Sequence, residues 1–149
     1  MNRVLRSLTL WLAPALGVAT LGSIPAFQEK EEAPAMQVYF LEIVTAESDA
    51  TCKALAEIHG VEFGQPVPEF GNARTARLEG GGELSVRKPL RPDEGPVVRP
   101  YLLVDDIEAA AAAAKEAGAE IAIPPMEIPG RGKFSIYLLG GIEHGLWQR

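Results

Sequence analysis

Residues 38–87 and 98–147 line up at an offset of 60, and an internal repeat of that size limits the fold of this chain more than any other feature. VYFLEIVT at 38–45 meets VRPYLLVD at 98–105, Gly80-Gly81 meets Gly140-Gly141, and Glu83 meets Glu143. Each half reads in the same order: apolar strand, helix, glycine, proline-containing turn, paired strands. The helix-ending glycines, Gly60 and Gly118, stand 58 apart, so one small insertion separates the halves. Strands are expected at 38–44, 73–78, 83–87, 98–104, 119–123, 133–139 and 143–147, with Pro-rich turns at 65–70 and 124–130. The first helix is expected from Ser48 to His59. The second is expected to be capped by Asp105, with Glu108 as the capping-box partner, an alanine run behind it and Gly118 as its stop. Neither half is long enough to bury much core alone, so each is expected to complete the other.

The repeat leaves the N-terminus unaccounted for. Arg3 and Arg6 precede a stretch without charge from Ser7 through Gln28, the layout of a signal peptide, with Ala26 as its last residue and residues 27–36 as a solvated linker. An uncleaved membrane anchor is the alternative, because the run approaches the ~20 residues that span a bilayer; Pro14, Gly17, Gly22 and Pro25 work against it. Export, to the periplasm or the medium, with no stable membrane insertion after cleavage, is the expectation. Cys52 is the only cysteine, which excludes an internal disulfide, a multi-Cys zinc site and a lipoprotein tether after the leader. The chain carries 14 bases against 20 acids, a formal charge of −6. Losing residues 1–26 removes two bases and no acid, and 12 against 20 leaves −8. That balance excludes a basic nucleic-acid binder.

Residues 97–149, VVRPYLLVDDIEAAAAAAKEAGAEIAIPPMEIPGRGKFSIYLLGGIEHGLWQR, resemble the closing module of the vicinal oxygen chelate superfamily, which includes glyoxalases, bleomycin-resistance proteins and extradiol dioxygenases. The first half, from FLEIVTAESDATCKAL to GELSVRKPL, follows the same order more loosely. The resemblance covers residues 37–149 and implies an α+β fold: two paired βαβββ modules, about 37–90 and 97–149, forming a curved mixed sheet around a central cleft. It also makes a homodimer an expectation to test. In metal-using members the ligands are His, Gln or Glu on the first and last strands of each module. Those positions carry over to Tyr39, Ser85, Arg99 and Gly145. Arginine stays cationic and glycine has no side chain, so the full set is lost. No cofactor is therefore expected, a divalent metal being the one the resemblance would otherwise bring.

Strand alternation places Tyr39, Leu41, Ile43, Arg87, Arg99, Tyr101, Glu143 and Trp147 on the concave side, and Phe40, Val44, Val86, Leu102 and Leu146 toward the helices. Glu42 then breaks the apolar pattern on the helix side. The candidate ligand-binding residues are Tyr39, Arg87, Arg99, Tyr101, Glu143 and Trp147, a mixture that suits a small polar or aromatic ligand with an anionic group. Arg99 and Glu143 could equally neutralise each other across adjacent strands. His144 falls on the face opposite Glu143, His59 ends a helix, Cys52 lies inside one, and PGRGK at 129–133 lacks phosphate-loop spacing, so no catalytic residue is assigned. Three functions stay open: a metal-free cleft binding a small organic ligand; a lyase, isomerase or dioxygenase with a displaced metal site built from Glu143, His144 or Glu83; and an interaction module with an empty cleft.

Overall fold

The computed structural model describes residues 35–149, so the leader and all but the end of the linker lie outside the described residues. The elements run β1 (Val38–Val44), α1 (Ser48–His59), a 3-10 turn (Pro68–Phe70), β2 (Arg74–Arg77), β3 (Glu83–Arg87), β4 (Val97–Leu103), α2 (Ile107–Glu116), β5 (Glu120–Ile128), β6 (Gly132–Leu139) and β7 (Ile142–Gln148). The strands make one mixed sheet in the order β2-β3-β1-β4-β7-β6-β5. β1 runs parallel to β3, β4 parallel to β7, and β1 meets β4 antiparallel at the centre. A curved α+β sheet of this kind is what the sequence implied.

Local chemistry explains the helices. α1 ends where Gly60 adopts φ 66° and returns its N–H to the Ala56 carbonyl, a left-handed stop that glycine accepts without a Cβ penalty. In α2 the cap is Asp106, one residue later than expected: its carboxylate accepts the Ala109 N–H at 3.0 Å. Ile107 supports that start, since its own N–H reaches Gln148 Oε1 at 3.0 Å and its side chain is fully buried with Ala111 and Leu146.

Two strand expectations change. Residues 124–128, expected in a turn, belong to β5, which continues to Ile128 through register shifts at Ile121/Ile123 and Ile123/Met126. β5 is an edge strand, where a proline lacking its N–H leaves no ladder partner unsatisfied. In the first module only two strands, β2 and β3, follow α1, where a βαβββ module has three. Residues 61–67 touch β2 through the Gly64 N–H on the Thr75 carbonyl, at 2.8 Å, and through a single bridge between Val67 and Ala73.

The larger change concerns faces. The register slips between Val38 and Phe40, and Phe40 and Glu42 point into the cleft, opposite Tyr101 and Arg99. Leu41 and Ile43, expected to be concave, therefore take the helix side. The cleft face buries Phe40, Tyr101, Ile136 and Trp147 as one cluster, and the helix face buries a second around Ile107. Truncation of Ile107 to alanine is expected to cost about 2–5 kcal/mol of unfolding free energy, read as a lower denaturant midpoint at unchanged slope.

Candidate functional site

The concave side of β1, β3, β4 and β7 encloses a cavity of about 330 Å³, a size that holds a small organic molecule. Its apolar wall is aromatic. Phe40 stacks on Trp147 with centroids 4.8 Å apart and an interplanar angle of 20°, and Phe70 meets both rings at 5.0 and 6.0 Å. The Tyr101 ring stands edge-on to Phe40 and Trp147. Gly145 makes this possible: a β-carbon there would be driven into the Tyr101 ring.

The floor is ionic. Glu42, only 7% exposed, accepts Arg87 Nε at 2.6 Å on one oxygen, and Arg99 Nη1 with the Tyr101 hydroxyl, at 3.1 Å, on the other. Arg87 gives its other nitrogens to both oxygens of Glu94, at 2.9 and 2.7 Å, and to the Lys88 carbonyl. Arg99 gives Nε and Nη2 to Glu143 Oε2. The result is one alternating chain: Glu94, Arg87, Glu42, Arg99, Glu143.

Titration follows this geometry. The Arg87 hydrogen bonds hold Glu94 down at about 2, against the opposing effect of burial. Burial disfavours the Arg99 charge, but Glu143 and Glu42 outweigh it and its pKa is raised. Tyr101 is also raised, first by burial and then by the neighbouring Glu42 charge, so its hydroxyl keeps its proton. Burial pushes the Cys52 thiol up, away from reactivity.

Arg87, Arg99, Tyr101, Glu143 and Trp147 all line the cavity. Tyr39 does not: its ring packs against Trp147 at 5.9 Å and under the Arg149 guanidinium. Sequence reasoning missed Glu42, Glu94 and Phe70. For Glu42 the signal was present, as a lone acid in an apolar strand opposite an arginine. Both guanidiniums are taken up by carboxylates, and the Arg99–Glu143 pairing across adjacent strands that the sequence also allowed is formed. His144 stacks on Tyr137 at 5.1 Å, and among the described residues Glu143, His144 and Glu83 are not grouped to hold a metal ion.

No family model matches the sequence, and no curated protein matches it. Solved structures do. A hypothetical protein from Bacillus halodurans superposes with a TM-score of 0.61 at 14% identity, over 78% of this chain and 96% of that one. A methylmalonyl-CoA epimerase variant from Streptomyces coelicolor, in complex with 2-nitronate-propionyl-CoA, gives 0.58 at 19%, over 75% and 96%. The methylmalonyl-CoA epimerase from Mycobacterium tuberculosis gives 0.59 at 14%, over 78% and 93%. These epimerases have the vicinal oxygen chelate fold, and the fold of this chain is the same.

That fold raises the question of a divalent metal, and the residues present do not fit one. Of the four carried-over positions, Tyr39 lies outside the cavity, Arg99 is a cation bound to two carboxylates, and the space beside Gly145 is filled by the Tyr101 ring. Ser85 is a neutral hydroxyl. Among the described residues no three His, Cys, Asp or Glu side chains are grouped to hold a metal ion.

Glu94 provides a pH test. Its pKa is lowered on folding, so its contribution to stability is present above about pH 4.5 and is lost as pH falls toward 2. The stability difference between the wild type and Glu94→Gln is expected to shrink across that window in acid titrations of the unfolding midpoint. A difference constant with pH would contradict the Arg87–Glu94 pairing.

Proposed function

We propose that this chain is an exported binding protein of the vicinal oxygen chelate fold, taking a small organic ligand into its cleft and working without the divalent metal of that fold. The observation that carries this reading is the closed Glu94–Arg87–Glu42–Arg99–Glu143 chain. Arg99 stands at one of the positions where a metal would need an anionic or imidazole donor, and it engages the carboxylates that a metal would use. The cavity and its aromatic wall supply what an organic ligand needs: concavity, apolar surface and a few polar groups to set orientation. Arg87, Arg99, Tyr101, Glu143 and Trp147 form its floor and wall. Arg87 and Arg99 serve mainly to hold carboxylates in position, and Glu143 and Trp147 meet the ligand. That an epimerase of this fold is found in complex with 2-nitronate-propionyl-CoA supports an organic ligand here without naming it.

The metal statement is tested on purified mature protein. Metal content well below one per chain is expected, together with a melting temperature that chelator leaves unchanged. Near-stoichiometric transition metal, removable by chelator with loss of ligand binding, would overturn it. Native mass spectrometry is expected to show a co-purifying small molecule released on unfolding.

Export rests on the basic start and uncharged run at residues 3–28. Cell fractionation with N-terminal sequencing is expected to recover a chain beginning at Phe27 outside the cytoplasm. Recovery of the uncut chain in the membrane fraction would instead establish anchoring.

A further inference from the structure

The charges that line the cavity are sorted by depth. Arg87 faces the carboxylates of Glu42 and Glu94, and Arg99 faces those of Glu42 and Glu143. The side chains of Arg87, Arg99, Glu42 and Glu94 are at most 10% exposed, and both oxygens of Glu42 and of Glu94 accept hydrogen bonds from the two arginines. The Tyr101 hydroxyl is spent on the same Glu42. Every buried charge lining the cavity is thus already answered by an opposite one. The less engaged charges lie where water reaches them: the Glu143 side chain is 36% exposed, and Glu69 and Arg91 are exposed, the latter 3.5 Å from Asp93. They include both signs, and exposed charges of mixed sign discriminate weakly between ligands.

A second, independent observation is the apolar wall. Phe40, Phe70, Tyr101 and Trp147 bring four aromatic rings to the cavity, packed on one another, and Ile123, Ile128 and Ile136 add branched aliphatic surface. Size then limits the occupant. A cavity of about 150 Å³ with such a lining takes one benzene ring, so 330 Å³ has room for about two.

We propose that the cleft takes an uncharged aromatic molecule of about two fused rings, recognised by ring contacts and shape rather than by charge. This rests on the reading above that the cleft takes a small organic ligand, and adds its chemical class. A neutral ring system gives up little hydration and gains burial against the aromatic wall. A carboxylate or an ammonium would give up much of its hydration to enter a floor whose opposite charges are already committed.

Three probes of one shape are titrated calorimetrically into purified mature protein at neutral pH: naphthalenemethanol, naphthoate, and naphthylmethylamine in its ammonium form. The alcohol is expected to bind at least about tenfold tighter than either ion. Its affinity is expected to change by less than about twofold between low and high salt. Glu143→Gln removes one carboxylate from Arg99 and is expected to move the naphthoate-to-alcohol ratio about tenfold toward naphthoate. Phe70→Ala truncates a ring carried on the 3-10 turn, outside the sheet, and is expected to weaken the alcohol about tenfold. An ion binding as tightly as the alcohol, a ratio that Glu143→Gln leaves unmoved, or an alcohol affinity that Phe70→Ala leaves unmoved overturns the assignment of ligand class and leaves the ligand-binding reading standing. If either variant fails to fold, the wild-type comparison of the three probes decides alone. Silence from all three probes overturns this assignment, and if nothing co-purifies either, the ligand-binding reading falls with it.

Discussion

The Glu42 carboxylate sits in the middle of the central strand β1, almost without solvent, and the rest of the cleft is arranged to make that burial tolerable. A buried charge survives only if it is paired and its lone pairs are used, and removing one partner of such a pair costs about 3–5 kcal/mol. Arg87 from β3, Arg99 from β4 and the Tyr101 hydroxyl meet that requirement. The two arginines are in turn held by Glu94 and Glu143. The chain of charges therefore runs across β3, β1, β4 and β7, four neighbouring strands, and crosses the antiparallel seam between the two halves. Apolar packing alone would specify that seam less sharply. A slip of one residue would turn Glu42 toward the helices and leave two guanidiniums facing each other in a dry cleft.

The aromatic layer and the ionic floor depend on each other. Phe40, Phe70 and Trp147 exclude water from one side of the network, which strengthens its hydrogen bonds and raises the cost of leaving any of them unmade. Tyr101 belongs to both layers: its ring fills the space beside Gly145 while its hydroxyl completes Glu42. A side chain at position 145 would displace the ring and open the network together. One glycine thus decides whether this part of the cleft holds a tyrosine or a donor reaching in from the last strand.

Most of the fold was legible because its signals are local. The ends of α1 follow from Gly60 and those of α2 from an acidic cap and an alanine run, and β1 and β3 have the bounds their apolar runs suggest. β5 was cut short because Pro124 and Pro125 read as a turn, and only the strand's position at the sheet edge makes them acceptable. Of the site, Arg87, Arg99, Tyr101, Glu143 and Trp147 were legible from alternation along strands whose two faces differ. Tyr39 was misassigned for one reason: β1 is largely covered on both faces, and the register slip beside Phe40 inverts its alternation. Glu94 lies in the connection between β3 and β4, where no periodicity points anywhere, and only its contact with Arg87 reveals it.

Arg99, one of the four positions at which the family resemblance would place a metal ligand, carries a guanidinium, and its partners follow from the geometry of the sheet. First and last strands run side by side at the sheet centre, so whatever side chains they carry on the concave face must meet. Imidazoles and carboxylates meeting there would hold a cation from solution. In this chain Arg99 supplies the positive charge from within, covalently fixed and permanently ionised, and consumes the carboxylates that a metal would use. The arrangement leaves a floor in which one oxygen of Glu143 accepts no hydrogen bond from the described residues.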